Sequence, residues 1–291
     1  MTRLTRTFAR LRASREAALL PYLTLGFPAP AATVPLGRAL LAAGADGLEL
    51  GIPSAAPTAD GPVLRQVAAT ARAAGVTTDR ALELLAAIRA ETAAPLVLLA
   101  YWAELHAHGP ARLCQEAAAA GADALLVPDA PGDERPALIA ACVEAGLAWV
   151  PLASLGAPPP SDLDSEVAGF LYCRLRRGRT GARDGLPRGA RAALARLRAQ
   201  AALPVVAGFG LSQPEQVARL AASVDGVVVG SALVQRVPAL GTDRGGAAAP
   251  QEPAPLPSDA AASSFAAVQA YIRALKAACR GHAAGDRDGG P

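Results

Sequence analysis

Ala43-Gly-Ala-Asp-Gly-Leu-Glu-Leu-Gly-Ile-Pro53 sets the fold of this chain. Gly44 reads as a helix C-cap that turns the chain directly into an apolar strand, and a glycine- and proline-rich loop follows. The phrase Ala-Gly-Ala-Asp returns at Ala120–Asp123, again before an apolar run. From this unit the same alternation can be followed in both directions. Apolar runs predict strands at 21–25, 47–52, 96–101, 124–128, 148–153, 169–174, 204–208 and 226–230. Alanine- and leucine-rich stretches between them predict helices, among them 34–43, 80–90, 111–120, 135–145, 189–201 and 214–222, with a last helix at 264–280. The strands are apolar throughout rather than alternating, which fits parallel strands covered on both faces. Eight such units predict an α/β fold: a single (β/α)8 TIM barrel with an N-terminal helix. A doubly wound open sheet is the competing arrangement.

One residue breaks the apolar pattern of the quoted stretch. Glu49 is a carboxylate inside Leu-Glu-Leu-Gly-Ile, and burying an unpaired charge costs several kcal/mol or forces the pKa upward. A structurally paired acid would satisfy that pattern. So would a proton-transfer group, with Asp60 brought back over it by the loop Pro57-Thr-Ala-Asp-Gly-Pro62. In a barrel, chemistry belongs at the C-terminal ends of the strands. Glu49, Tyr101, Asp129 and Tyr172 fall there. So do Gly208-Phe-Gly210 after strand seven and Gly230-Ser-Ala232 after strand eight. Those two turns are placed for the phosphate site that barrels build after their last two strands. After strand six, Arg176-Arg-Gly-Arg-Thr-Gly181 is long and glycine-punctuated enough for a lid, with arginines that a phosphate would attract.

Composition narrows the function classes. Of 291 residues, 52% are hydrophobic and 18% charged, enough for a large core. No apolar run reaches the ~18–20 residues of a membrane span. The net charge is only +3, and the arginines are scattered rather than patched, which argues against nucleic acid. Cys114, Cys142, Cys173 and Cys279 lie in apolar patterns without a CxxC pair, so they read as reduced thiols of a cytoplasmic protein. Residues 2–18 are arginine-rich like a transit peptide, but Leu4, Phe8, Leu11 and Ala18 recur at helical spacing, so a capping amphipathic helix is expected. The Ala-, Pro-, Gly- and Ser-rich segment 238–263 reads as a disordered insertion before the last helix, and 281–291 as a disordered tail; the barrel domain spans 1–280. His106 and His108 are read in a loop and His282 in the tail, with no acid nearby, so no metal site is expected.

These motifs together are similar to those of the tryptophan synthase alpha subunit family. The resemblance rests on Pro21-Tyr-Leu-Thr-Leu-Gly-Phe-Pro28, Leu48-Glu-Leu-Gly-Ile-Pro53, Ala59-Asp-Gly-Pro62, Gly208-Phe-Gly-Leu-Ser-Gln-Pro-Glu-Gln-Val217 and Val229-Gly-Ser-Ala232. It implies retro-aldol cleavage of indole-3-glycerol phosphate to indole and glyceraldehyde 3-phosphate, with Glu49 and Asp60 catalytic. It also implies that Tyr22, Tyr101, Tyr172, Thr180, Gly181, Phe209, Gly210, Gly230 and Ser231 bind substrate. No cofactor is implied in this chain. Pyridoxal phosphate belongs to a beta subunit that receives the indole, in an alpha2-beta2 tetramer. Departures from the family pattern cluster on loops: Pro53-Ser-Ala-Ala-Pro57 for Pro-Phe-Ser-Asp-Pro, Ala103 for an asparagine, Arg65 for a glutamine, and Leu175-Arg-Arg-Gly-Arg-Thr-Gly181 on loop six. Two alternatives stay open: a stand-alone lyase that releases free indole, and a catalytically weak chain that regulates a beta subunit.

Overall fold

The computed structural model describes residues 2–158, 160, 169–176, 181, 185–237 and 265–280. Thr180, most of loop six, the 238–263 segment and the 281–291 tail lie outside the described residues. The strands are β1 (Ala18–Thr24), β2 (Leu48–Gly51), β3 (Leu96–Leu99), β4 (Ala124–Leu126), β5 (Ala148–Trp149), β6 (Leu152–Ser154), β7 (Leu171–Arg174), β8 (Val205–Gly208) and β9 (Gly226–Val229). All pair in parallel, in the order β5-β4-β3-β2-β1-β9-β8-β7-β6.

The fifth expected strand, 148–153, is two short pieces. Pro151 has no N–H to give the ladder, so pairing breaks there. The same break closes the sheet. Val150 N donates to Leu125 O (3.0 Å) on one side, while Gly169 N donates to Trp149 O (3.0 Å) and Tyr172 N to Pro151 O (2.9 Å) on the other. One segment therefore joins both ends of the nine-stranded sheet, and the architecture is a parallel barrel wrapped in helices rather than an open sheet.

Side-chain alternation divides the core in two. Leu19, Leu23, Leu48, Leu50, Leu96 and Leu98 point outward and pack under the helices. Leu20, Tyr22, Val97, Leu99, Leu126, Val150, Tyr172, Val206 and Val228 fill the interior. Each strand has an apolar face inside and another outside, so no polar alternation shows in the sequence.

The helices that position the site are α2 (Pro30–Ala42), α3 (Pro62–Ala73), α4 (Thr78–Ala90), α5 (Trp102–His108), α6 (Pro110–Ala119), α7 (Arg135–Ala145), α8 (Ala190–Gln200), α9 (Pro214–Leu220) and α10 (Ser231–Val234). Proline at the first turn starts α2, α3, α6, α7 and α9, where its missing N–H costs nothing. Helix α2 consequently starts earlier than its expected start at residue 34. The last helix, α11, runs Ala266–Cys279. His106 and His108, read as loop residues, lie in the last turn of α5.

The N-terminal helix, α1 (Arg3–Ala13), plugs the bottom of the barrel with Leu4, Phe8 and Leu11. Its arginines are anchors. Arg10, Arg3 and Arg12 meet Asp46, Asp123 and Asp225 at 3.0, 3.0 and 3.4 Å. Each of these aspartates also accepts the backbone N–H of a neighbouring strand's edge residue: Leu19 (3.0 Å), Leu96 (2.8 Å) and Val205 (2.9 Å). The aspartate of the repeated Ala-Gly-Ala-Asp is thus the hinge pin between strand and capping helix.

Candidate active site

Glu49 and Tyr22 sit side by side, as register partners on β2 and β1. Both face the barrel interior near its C-terminal end. The glycines among these strands make room for the aromatic rings. A Cβ on Gly51 would collide with the Tyr22 hydroxyl, and one on Gly208 with the Tyr172 hydroxyl. Thr24 donates to the Tyr22 hydroxyl at 3.0 Å.

Asp60 returns over this group on the loop between β2 and α3. It is buried, and its charge, second to burial, pushes the neighbouring Tyr101 phenol upward. Glu49 is only 3% exposed, and its Oε2 has no hydrogen-bond partner among the described residues. Burial pushes its carboxyl up to about 8, with the Asp60 charge adding to the effect. Burial likewise pushes the Tyr172 phenol well above its ordinary value, and Glu49 contributes. A buried acid with an unpartnered oxygen beside a second acid is the arrangement of a proton-transfer site.

The far wall is the turn after β8. Phe209 takes a positive φ of 71°, rare for a bulky residue, and Gly210 follows at 111°. That turn aims the Phe209 ring edge-on at Tyr172, with centroids 5.9 Å apart at 89°. Gln216 holds it from behind, its Oε1 accepting from Ser212 N (2.8 Å) and Gln213 N (3.0 Å), while the Tyr271 hydroxyl donates to Ser212 O at 2.7 Å. Gln216 belongs to the motif read for its glycines, and only the fold reveals its bracing part. Opposite, Gly230 and Ser231 lead into α10. The Arg176 side chain comes within 3.7 Å of where a Cβ on Gly210 would stand, which brings a guanidinium beside the glycine turns.

One cavity collects these groups. Tyr22, Glu49, Asp60, Tyr101, Tyr172, Gly181, Phe209, Gly210, Gly230 and Ser231 all line it, with Leu64, Leu99, Leu126, Pro128 and Leu152 as its apolar wall. Its atom-free space, open mouth included, is about 560 Å³. Of the residues expected from sequence, Thr180 alone lies outside the described residues. Asp129, a strand-end candidate, is not on the cavity wall. It accepts from Trp102 N (2.8 Å) and from the Thr58 hydroxyl (2.9 Å).

The histidines need a correction. His108 does have acids nearby: Nε2 lies 2.6 Å from Glu116 and Nδ1 3.8 Å from Asp79, and ligand atoms of the three fall within 4.8 Å of one another. Glu116 is also taken by Arg112 at 2.7 Å, so its carboxylate is already satisfied by an ion pair on the barrel's outside. The spacing of 29 positions from Asp79 to His108 hid it from a local reading.

Comparison with known proteins places this geometry in a family. The family model for "Tryptophan synthase alpha chain" matches residues 8–253. The tryptophan synthase alpha chain of Chloroflexus aurantiacus is 41% identical over 240 residues, covering 81% of this chain and 90% of the relative. That of Xanthomonas oryzae pv. oryzae is 42% identical over 241 residues, covering 80% and 89%. Among solved structures, tryptophan synthase from Mycobacterium tuberculosis superposes with a TM-score of 0.78 at 28% identity, covering 96% of this chain and 98% of that one. The alpha subunit from Legionella pneumophila gives 0.78 and 28% over the same shares.

Proposed function

The chain belongs to the tryptophan synthase alpha chain family, and from that membership we propose that it cleaves indole-3-glycerol phosphate to indole and glyceraldehyde 3-phosphate. The observation that carries the reading is Glu49: buried, unpartnered at Oε2, and pushed up to about 8. Such a carboxyl is protonated at neutral pH and can donate to indole C3. Its conjugate base can then take the proton from the glycerol hydroxyl next to the breaking bond. The C3–glycerol bond breaks as that hydroxyl becomes the aldehyde of glyceraldehyde 3-phosphate, and its electron pair returns to the indole ring. The protonated ring is electron-poor in the meantime, and Asp60 accepts its N–H and stabilises the positive charge. Tyr172 and Phe209 hold the ring region. Gly181, Gly210, Gly230 and Ser231, with Thr180, take the phosphate, and Arg176 stands close enough to add charge.

The ring itself accepts the electrons, so the reaction calls for no cofactor in this chain. Pyridoxal phosphate belongs to the beta subunit that we propose as partner, in an alpha2-beta2 assembly in the cytoplasm. No described helix is long and apolar enough to cross a membrane. The test is product identification with the isolated chain and indole-3-glycerol phosphate. Indole and glyceraldehyde 3-phosphate should appear in equal amounts; a phosphate sugar product without indole would refute the reading.

A further inference from the structure

Asp129 does not touch the cavity, yet it holds the two backbones that meet there. Its Oδ1 accepts the N–H of Trp102, 2.8 Å away, and Trp102 directly follows Tyr101. Its Oδ2 accepts the hydroxyl of Thr58, 2.9 Å away, two residues before Asp60. Tyr101 and Asp60 both line the cavity, and the Asp60 charge acts on the Tyr101 phenol. One carboxylate therefore grips the chain behind both Tyr101 and Asp60. The Trp102 contact also serves α5, whose N-cap, Tyr101, supplies no side-chain cap. An orphan N–H at the helix start is satisfied from the loop after β4 instead. A second tie, Ala55 N to Glu104 Oε1 at 2.9 Å, holds the β2 loop against the same helix further up.

We propose that Asp129 is a positioning residue that fixes Asp60 for its charge-stabilising role by clamping Thr58 and the start of α5 to one point. The proposal rests on the reading that Asp60 meets the indole N–H. An acid misplaced by about an ångström loses much of its value to a developing positive charge, whereas ground-state binding changes less. The loss should therefore fall on kcat more than on KM.

Thr58→Val keeps the shape of the side chain and removes the donor; Thr58→Ser keeps the donor. Thr58→Val should lower kcat for indole release about three- to tenfold, the worth of one ordinary hydrogen bond, with KM little changed. Thr58→Ser should restore turnover. Asp129→Ala, which loses both arms, should cost about ten- to a hundredfold. Hydrogen exchange of the native and variant chains, followed over residues 54–61 and 101–104, gives a readout that needs no turnover. Exchange over 54–61 should speed up in Thr58→Val but not in Thr58→Ser, and over both segments in Asp129→Ala. If the native chain releases no indole, the reaction reading fails while the exchange experiment still decides the clamp. Native-like exchange and native-like kcat in Thr58→Val would overturn the proposal. So would equal losses in Thr58→Val and Thr58→Ser, which would make the position merely steric.

Discussion

Glu49 was legible because it violates its surroundings: a carboxylate in an apolar strand must be paired or shifted. Among the described residues its Oε2 has no hydrogen-bond partner, and its raised proton affinity follows from burial first and Asp60 second. This has a stability consequence with a definite sign. In the unfolded chain the carboxyl titrates near 4.5, in the native chain near 8. Below about pH 4.5 it is neutral in both states and costs nothing. As pH rises toward 8 the folded state must either keep the proton or bury a charge, and stability is lost across that window. Glu49→Gln should therefore match the native chain in urea unfolding near pH 4.5. Above pH 8 it should be more stable by ~2–4 kcal/mol. Equal stability at both ends would mean that the acid is solvated or paired. Activity should follow the same group: kcat/KM of the isolated chain should fall as pH rises through about 8, since the proton for C3 is then gone. A flat profile through that range would assign the proton to another donor. Gln216 and Asp129 were less legible, because bracing residues carry no local anomaly in sequence; their partners become neighbours only once the strands are side by side.

Helix α1 shows the same divide. Its apolar spacing announced a capping amphipathic helix, but a basic face with no acids within the segment left the arginines' partners unread. The acids that answer it, Asp46, Asp123 and Asp225, lie far away in sequence at the bottoms of strands. The repeated Ala-Gly-Ala-Asp identified the glycine's job and left the aspartate's unread. Asp123 also takes Arg89 at 2.9 Å, itself only 14% exposed at its side chain. Asp123→Ala leaves that guanidinium short of its charge partner and Leu96 N without an acceptor. A loss of about 2–4 kcal/mol in urea unfolding is expected. Because the aspartate sits at the end of the barrel opposite the cavity, kcat should be unchanged. A fall in kcat without a fall in stability would show that the bottom of the barrel is coupled to the chemistry.

The eight-unit barrel was readable because each βα unit repeats the same local grammar. The split at Pro151 was not read, although a proline within a strand marks such a break. On the loops around the mouth, Ala55, Ala56 and Ala103, read from the sequence as departures from the family pattern, carry no polar side chain, while Thr58 and Glu104 tie the β2 loop inward. Activation by a generic beta subunit should accordingly be weak, and Ala55→Ser with Ala56→Asp should strengthen it without altering the isolated chain; full activation of the native chain by that partner would deny those positions any coupling role. Everything nonetheless depends on one carboxyl. The deciding measurement is single-turnover indole release from indole-3-glycerol phosphate by Glu49→Gln beside the native chain, with glyceraldehyde 3-phosphate affinity measured in both. Glu49 as the proton shuttle predicts a rate at least ~10²-fold lower at unchanged affinity. A near-native rate in Glu49→Gln would contradict it.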